Sequence, residues 1–390
     1  MYPRDAKKTL VRLAKGFPII AITGPRQSGK TTLARAEFPD KPYISLENPD
    51  EREFALSDPR RFLDRFPEGA VLDEVQRCPT LLSWLQGVVD QRQRMGDFVL
   101  TGSAQFDLIA GIGQSLAGRV GRVELLPLSL TEMKVGQCLP ASLDQLLLRG
   151  SYPAVYSRGL SQADWYQNYV ATYLERDVRQ LIAVRDLAQF QRFVRLCASR
   201  SGQLLNLSSL GADAGLSDVT ARHWISVLEA SYLIVRLQPY HRNFGKRLIK
   251  SPKLYFLDTG LAAWLMGIRN EETMAIHPSR GALFETWVIA EHFKAAMNLG
   301  ETPNLSFWRD SAGNEVDLLE ERGIDLYPSE IKSGATFVTE WTASLKKFSA
   351  LVGEVKKTQI IYGGEASFER ETYFARSWKD LDLSLASDVS

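Results

Sequence analysis

The chain changes hydrophobic period several times, and each change marks a different kind of element. Short continuous apolar runs, the pattern of strands buried on both faces, occur at Pro18–Thr23, in YISLEN, in EGAVLDEVQR up to Asp73 and in DFVLTGS up to Thr101. The first leads through a glycine-rich loop into a helix with Leu33 and Ala34 facing inward. From Pro140 to about Ala183 the spacing becomes helical, and Trp165, Tyr166, Tyr169 and Tyr173 form an aromatic stripe that predicts packed core. Beyond Asp186 the pattern predicts a helix in FQRFVRLCASR, a short helix in LSSLGADAG and a longer one through VTARHWISVLEASYL, capped by Ser217. Two strands follow, around LIVRLQP and KLYFLD. The last third opens with the amphipathic helix RGALFETWVIAEHFKAA and continues in the strands LSFWRD, EVDLLEE, DLYPSEIK and TQIIYGG.

This succession predicts an α/β chain, and 390 residues exceed what one hydrophobic core usually serves, so several domains are expected. A net charge of +1 excludes a globally basic nucleic-acid coat and leaves any such contact to local patches. Cys78, Cys138 and Cys197 are scattered, and His223, His241, His277 and His292 join them in no zinc-ligand spacing, which fits a reducing, cytoplasmic setting. No apolar run approaches the roughly 20 residues of a membrane span, so no membrane partner is expected.

Directly after the first strand stands Gly24-Pro25-Arg26-Gln27-Ser28-Gly29-Lys30-Thr31, with Thr32 next on the helix. Glycines at these positions let main-chain N–H groups close around phosphates at a helix N-terminus. The lysine reaches the β and γ oxygens, and the threonine hydroxyl holds Mg²⁺. In its strand, loop and helix setting the pattern predicts ATP as ligand and Mg²⁺ as its companion. Asp73 is placed to orient Mg²⁺ through water, and Glu74 to polarise the water that attacks the γ-phosphate. A solvated acidic pair capping the next helix is the bland alternative. Thr101 and Ser103 end the following strand, where a polar side chain senses the γ-phosphate. Arg119 and Arg122, in LAGRVGRVELLPLSLTEM, are candidates for a finger reaching a neighbouring subunit's ATP, although loop arginines are most often only solvated.

The set GPRQSGKTTL, LDEVQR, LTGSAQFDL, LAGRVGRVELLPLSLTE, YLERDV and YFLDTGLAAWL, spread over nearly the whole chain, resembles the widespread bacterial and archaeal AAA+-type ATPases with an uncharacterised C-terminal domain. The resemblance implies an AAA+ core with Lys30, Thr31, Asp73 and Glu74 in the roles above and Ser103 as first sensor. It departs in offering no clear second-sensor arginine, although Arg176 in YLERDV lies on a suitable helical segment.

The three helices and two strands after Asp186 follow the order of a winged helix-turn-helix. Between the strands, YHRNFGKRLIKSPK carries Arg242, Lys246, Arg247, Lys250 and Lys253 with no acidic residue among them. Such a basic wing suits phosphate contacts, and Thr220, Arg222 and His223 on the long helix suit a DNA groove. Protein–protein packing is the alternative use. In the final domain, Glu285 on the helix, then Asp317 on one strand and Glu330-x-Lys332 on the next, resemble the PD-(D/E)xK nuclease superfamily. That resemblance implies Asp317 and Glu330 as Mg²⁺ ligands, Lys332 beside the nucleophilic hydroxide or the phosphorane charge, and Glu285 assisting the metal. The same fold also hosts structural domains.

The expected architecture is an α/β chain with an AAA+ P-loop core over residues 1–139, a helical lid over 140–185, a winged helix over 186–258 and a PD-(D/E)xK-like α/β domain over 259–390. An AAA+ module followed by a winged helix is the arrangement of the bacterial Holliday-junction branch-migration motor. The expected function is accordingly an oligomeric ATPase, as a hexameric ring, that remodels or translocates double-stranded or branched DNA. An ATP-gated DNA nuclease and a nucleotide-dependent DNA- or protein-binding switch are the alternatives.

Overall fold

The computed structural model describes residues 1–102, 116–178, 186–240, 251–353, 355, 357–381 and 383, with the backbone alone for 175–178. Its contacts divide the chain into one unit of Met1–Leu128, Ala230–Tyr232 and Lys294–Thr302, and a second of Ser129–Glu229, Leu233–Phe293 and Pro303–Ser390.

The first unit runs α1 (Ala6–Ala14), β1 (Ile19–Thr23), α2 (Lys30–Glu37), β2 (Tyr43–Ser45), α3 (Pro49–Ser57), α4 (Pro59–Asp64), β3 (Ala70–Asp73), α5 (Leu81–Arg92), β4 (Phe98–Thr101) and β5 (Val120–Glu124). The strands form a parallel sheet in the order β2-β3-β4-β1-β5. Alternate residues sort into two cores. Ile19, Ala21, Leu72, Phe98 and Leu100 pack with Phe62, Leu63, Leu81 and Leu85 on one face. Ile20, Ile22, Val71 and Val99 pack with Ala6, Leu10, Leu33 and Ala34 on the other. Helices cover both faces, which is why these strands appear in the sequence as unbroken apolar runs. Because β1, β3 and β4 are parallel, the loops that leave their carboxyl ends share one edge of the sheet, the usual place for a ligand in this architecture.

The second unit begins with helices α6 (Leu130–Val135), α7 (Leu143–Arg149), α8 (Pro153–Ser157) and α9 (Gln162–Tyr169), the last continuing as a π-helical stretch, Val170–Val178. The aromatic stripe is core here: Trp165, Tyr166, Tyr169 and Tyr173 are buried, and Trp165 stacks on Tyr169 with ring centroids 4.9 Å apart. Next come α10 (Leu187–Ser199), β6 (Gln203–Leu204), α11 (Leu207–Ala214), α12 (Asp218–Ala230), β7 (Ile234–Pro239) and β8 (Lys253–Phe256). Ser217 caps α12 as expected, its hydroxyl accepting the Thr220 N–H at 3.1 Å. The short strand β6 has no sequence signal, and β8 pairs antiparallel with both β6 and β7. After α13 (Thr259–Leu265), α14 (Glu271–Ile276) and α15 (Arg280–Leu299) come β9 (Leu305–Arg309), β10 (Glu315–Arg322), β11 (Asp325–Lys332), α16 (Ala343–Val352), β12 (Thr358–Tyr362), β13 (Phe368–Glu369) and β14 (Tyr373–Ser377). One sheet orders these strands β13-β14-β12-β11-β10-β9-β7-β8-β6, with β10 antiparallel to β9 and β11, and β11 parallel to β12.

Candidate functional site

At the carboxyl end of β1 the chain enters the loop at Gly24 and leaves it at Gly29, both with positive φ, 145° and 99°. A Cβ at Gly24 would lie 2.2 Å from the Leu125 carbonyl oxygen, so the loop can start only at a glycine. Between them Pro25 and Ser28 are buried, Arg26 is half-buried and Gln27 is exposed, also at positive φ; Thr31 and Thr32 follow on α2. Lys30 begins α2 as a buried residue whose Nζ donates to the carbonyls of Gly24 at 3.0 Å and Pro25 at 2.7 Å. Burial pulls its ammonium down to about 8, against the opposing pull of Glu74 and Asp73.

Arg4, a residue with no motif around it, braces this loop. Its guanidinium donates to the Ser28 carbonyl at 2.5 Å and to the Leu126 carbonyl at 2.5 Å. A trans peptide sets C=O and N–H antiparallel, so the first bond also fixes the direction of the Gly29 N–H, away from Arg4.

Asp73 ends β3 and gathers three hydroxyls from three other elements. Thr31 donates to Oδ1 at 3.0 Å, Tyr43 donates to Oδ2 at 2.6 Å, and Thr101, at the end of the neighbouring β4, donates to Oδ1. Thr31 and Asp73 thus present hard oxygen donors side by side beside the loop, a pair that fits Mg²⁺. Glu74 has φ of 55°, rare for a residue with a side chain, and its carboxylate accepts from the Gln76 amide. Burial lifts its carboxyl above the usual carboxylate range, opposed chiefly by Lys30.

Arg119 lies just before β5, whose first residue is level with Ile19 at the amino end of β1, whereas the loop leaves the other end. It forms a two-pronged ion pair with Asp90, at 2.5 and 2.8 Å, and Arg122 pairs with Glu124. On α12, Arg222 and His223 are exposed, while Thr220 is half-buried and bonded to the Ser217 hydroxyl at 2.8 Å. Ser103, the Arg176 side chain, Arg242, Lys246, Arg247 and Lys250 lie outside the described residues.

In the second unit β10 and β11 bring together the residues that the sequence spaces widely. Lys332 Nζ stands 2.5 Å from Glu330 Oε1 and 3.5 Å from Asp317 Oδ2, and Asp317 Oδ2 accepts the Ile331 N–H at 2.8 Å. Burial, then the neighbouring Asp317, pushes Glu330 up to about 8. Burial works against the Lys332 charge, but Asp317 and Glu330 outweigh it and raise that pKa. Glu330 is only 6% exposed, and among the described residues its Oε2 has no hydrogen-bond partner. One acid was missed: Glu315 precedes Asp317 by two residues, and alternate strand positions share a face. Carboxylate oxygens of Glu285, Glu315 and Asp317 lie within 4.8 Å of one another, a hard-oxygen set of the kind that suits Mg²⁺ or Mn²⁺.

Lys253 corrects the sequence reading. Expected as part of a basic wing, it is instead 3% exposed on β8, with Nζ 2.8 Å from Glu285 and paired with Glu315 as well. Sequence adjacency to a basic run concealed this, because strand pairing with β6 and β7 turns the residue inward. Tyr255, two residues on, donates to Glu285 at 2.5 Å. Burial opposes the Lys253 charge, but Glu285, Asp317 and Glu315 together raise its pKa above the ordinary lysine value.

Residues 16–134 match the family described as an AAA domain, residues 140–272 a domain of unknown function (DUF8612) and residues 280–381 a domain of unknown function (DUF4143). The uncharacterized protein Rv2008c of Mycobacterium tuberculosis is 34% identical over 370 residues, covering 94% of this chain and 81% of that protein. Mb2031c of Mycobacterium bovis matches to the same extent. Among solved structures, the Walker-type ATPase PABY2304 of Pyrococcus abyssi covers 68% of this chain and 96% of its own at 15% identity, with a TM-score of 0.47. No helix among the described residues is long and apolar enough to cross a membrane. The loop geometry and the AAA match make this a P-loop ATPase of the AAA type, and the chain belongs to the family of the mycobacterial proteins Rv2008c and Mb2031c.

Proposed function

We propose that the chain hydrolyses ATP with Mg²⁺ at residues 24–31 and, as an oligomer, couples turnover to remodelling or translocating double-stranded or branched DNA. The observation that carries the hydrolytic part is the convergence on Asp73 of Thr31, Tyr43 and Thr101, with half-buried Glu74 next to it in sequence. Main-chain N–H groups of the loop and Lys30 hold the phosphates. Thr31 and Asp73 hold Mg²⁺, which when bound offsets phosphate charge. Glu74 takes the proton of the attacking water, a task suited by a carboxyl whose pKa burial has raised toward neutrality. A site that only bound ATP would have no use for a carboxylate so placed.

The DNA part rests on the order α10, β6, α11, α12, β7, β8, with β6, β8 and β7 in one sheet, which is the element order of a winged helix. Its long helix exposes Arg222 and His223, and the sequence between β7 and β8 holds Arg242, Lys246, Arg247 and Lys250. In this reading residues 1–139 are the ATPase core, 140–185 a lid, 186–258 the DNA-binding module and 259–390 a PD-(D/E)xK-like domain. Arg119 is the finger of a ring, a hexamer, and acts on the next subunit's ATP after leaving Asp90. The test is ATP turnover with linear, forked and four-way DNA added in turn. Stimulation by forked or four-way DNA supports the reading, and turnover indifferent to every DNA removes the DNA part.

A second reading, an ATP-gated nuclease, is favoured by one observation: Asp317, Glu330 and Lys332 meet across β10 and β11 with Glu285 contributed by α15. In it Asp317 and Glu330 hold the metal and Lys332 steadies the developing phosphorane charge.

A further inference from the structure

The helix that carries Arg222 and His223 ends on a residue that belongs to the unit of the ATP loop. The chain leaves the second unit after Glu229 and rejoins it at Leu233, so Ala230, Ser231 and Tyr232 pack with the first. There α12 closes with the Leu233 N–H donating to the Leu228 carbonyl at 3.0 Å, the bond of a Schellman-type helix stop. The position before that N–H takes a left-handed backbone and is usually glycine. Here it is Tyr232, with φ of 55°. A large side chain at that φ carries a strain that glycine would avoid, which points to a use for the side chain itself.

That side chain reaches the entrance of the ATP loop. Tyr232 is 8% exposed, and its hydroxyl shares a hydrogen bond of 3.2 Å with the hydroxyl of Thr23, itself buried. Thr23 ends β1 and directly precedes Gly24. Its carbonyl accepts the Leu125 N–H at 2.8 Å, and Glu124 is level with it on β5. Burial, then the Glu124 carboxylate, pushes the Tyr232 phenol up to about 12, so the hydroxyl keeps its proton at neutral pH. The loop is thus braced at both ends. Arg4 holds the Ser28 carbonyl near its exit, and Tyr232 holds the residue before its entrance. What lies behind the two braces differs: Arg4 precedes α1, whereas Tyr232 is two residues beyond the end of α12.

We propose that Tyr232 is a positioning residue that links the ATP loop to α12: when the loop closes on phosphates, the Thr23–Tyr232 bond carries the change to the stop of that helix. By linkage, a ligand held by α12 acts back on ATP affinity through the same bond and by the same factor. The proposal rests on ATP occupying the loop and needs neither DNA nor hydrolysis. It names the place where nucleotide state leaves the ATP unit, and so supplies the proposed motor with its first coupling step.

The test is hydrogen–deuterium exchange of the full chain, read by mass spectrometry, with and without a saturating non-hydrolysable ATP analogue and Mg²⁺. In wild type the analogue should protect residues 24–31 and change exchange over 228–236 by at least about fivefold, the low end of a typical coupling. Tyr232→Phe keeps the ring and loses only the hydroxyl. Protection of 24–31 should remain in it, while the response of 228–236 disappears. Thr23→Val removes the same bond from its other side and should give the same loss, and the double variant should lose no more than either single one, as two residues acting through one bond require. A tyrosine with a purely structural role would lower Tm without separating the two responses. Nucleotide-dependent exchange over 228–236 that survives in Tyr232→Phe, or in Thr23→Val should the first variant fail to fold, overturns the proposal. So does a wild type in which 24–31 is protected and 228–236 is unmoved. Absence of protection over 24–31 in wild type removes instead the ATP reading of the loop, and the proposal with it.

Discussion

Replacing Arg4 with alanine removes two charged hydrogen bonds from the main chain around the ATP loop, to Ser28 and to Leu126. Such bonds contribute about 1.5–3 kcal/mol each. The Leu126 bond, on the segment after β5, registers in stability. The Ser28 bond registers also in nucleotide affinity, because it sets the peptide plane whose other side is the Gly29 N–H. If that plane turns freely once Arg4 is gone, ATP binding weakens by the whole of the lost bond, roughly ten- to a hundred-and-fifty-fold in Kd. Stability falls by about 3–6 kcal/mol when both bonds go, which lowers Tm by roughly 6–24 °C for a unit of this size. Arg4→Lys keeps the charge but lacks the fork that reaches both carbonyls, and should fall between the two. The assays are titration calorimetry with a non-hydrolysable ATP analogue and a thermal melt. Wild-type Kd and a Tm within about 1 °C of wild type in Arg4→Ala would refute the reasoning from loop geometry.

Two further outcomes follow from the same sites. Burial holds Lys30 at about 8 in the free protein, while phosphates return it toward 10.5, so ATP binding should take up a proton above pH 8 and weaken as pH rises; calorimetry in buffers of differing ionisation heat reads that uptake, and a pH-independent Kd between pH 7 and pH 9.5 contradicts it. Arg222→Glu on the exposed face of α12 should lower DNA affinity and reduce the slope of log K against log salt by about 0.9 if Arg222 meets one phosphate; an unchanged slope moves the DNA contact elsewhere.

The ATP loop was legible because its chemistry is local. A strand, two glycines, a lysine and a threonine lie within a dozen or so residues, and two-sided burial made β1, β3 and β4 visible as apolar runs. Asp73 was legible for the same reason, at the end of such a run. Its partner Tyr43 was not, since parallel pairing of β2 with β3 sets that contact. Nor was Arg4, whose partners lie 24 and 122 residues away. Lys253 was misread because the basic stretch before it suggested one solvated surface, whereas antiparallel pairing on both sides of β8 buries it. Glu315 could have been found from period two along β10, which places it on the face of Asp317. The strands β6, β13 and β14 escaped notice because the first two have two residues each and the last, YFARS, alternates too weakly.

The central claim, that this chain hydrolyses ATP with Glu74 as base, is tested most directly by a single-turnover measurement with radiolabelled ATP and Mg²⁺, comparing wild type with Glu74→Gln. The account predicts that wild type releases phosphate while Glu74→Gln binds ATP with near-normal affinity and retains it uncleaved, at a rate lower by about 10²-fold or more. Equal phosphate release by the two proteins would contradict it.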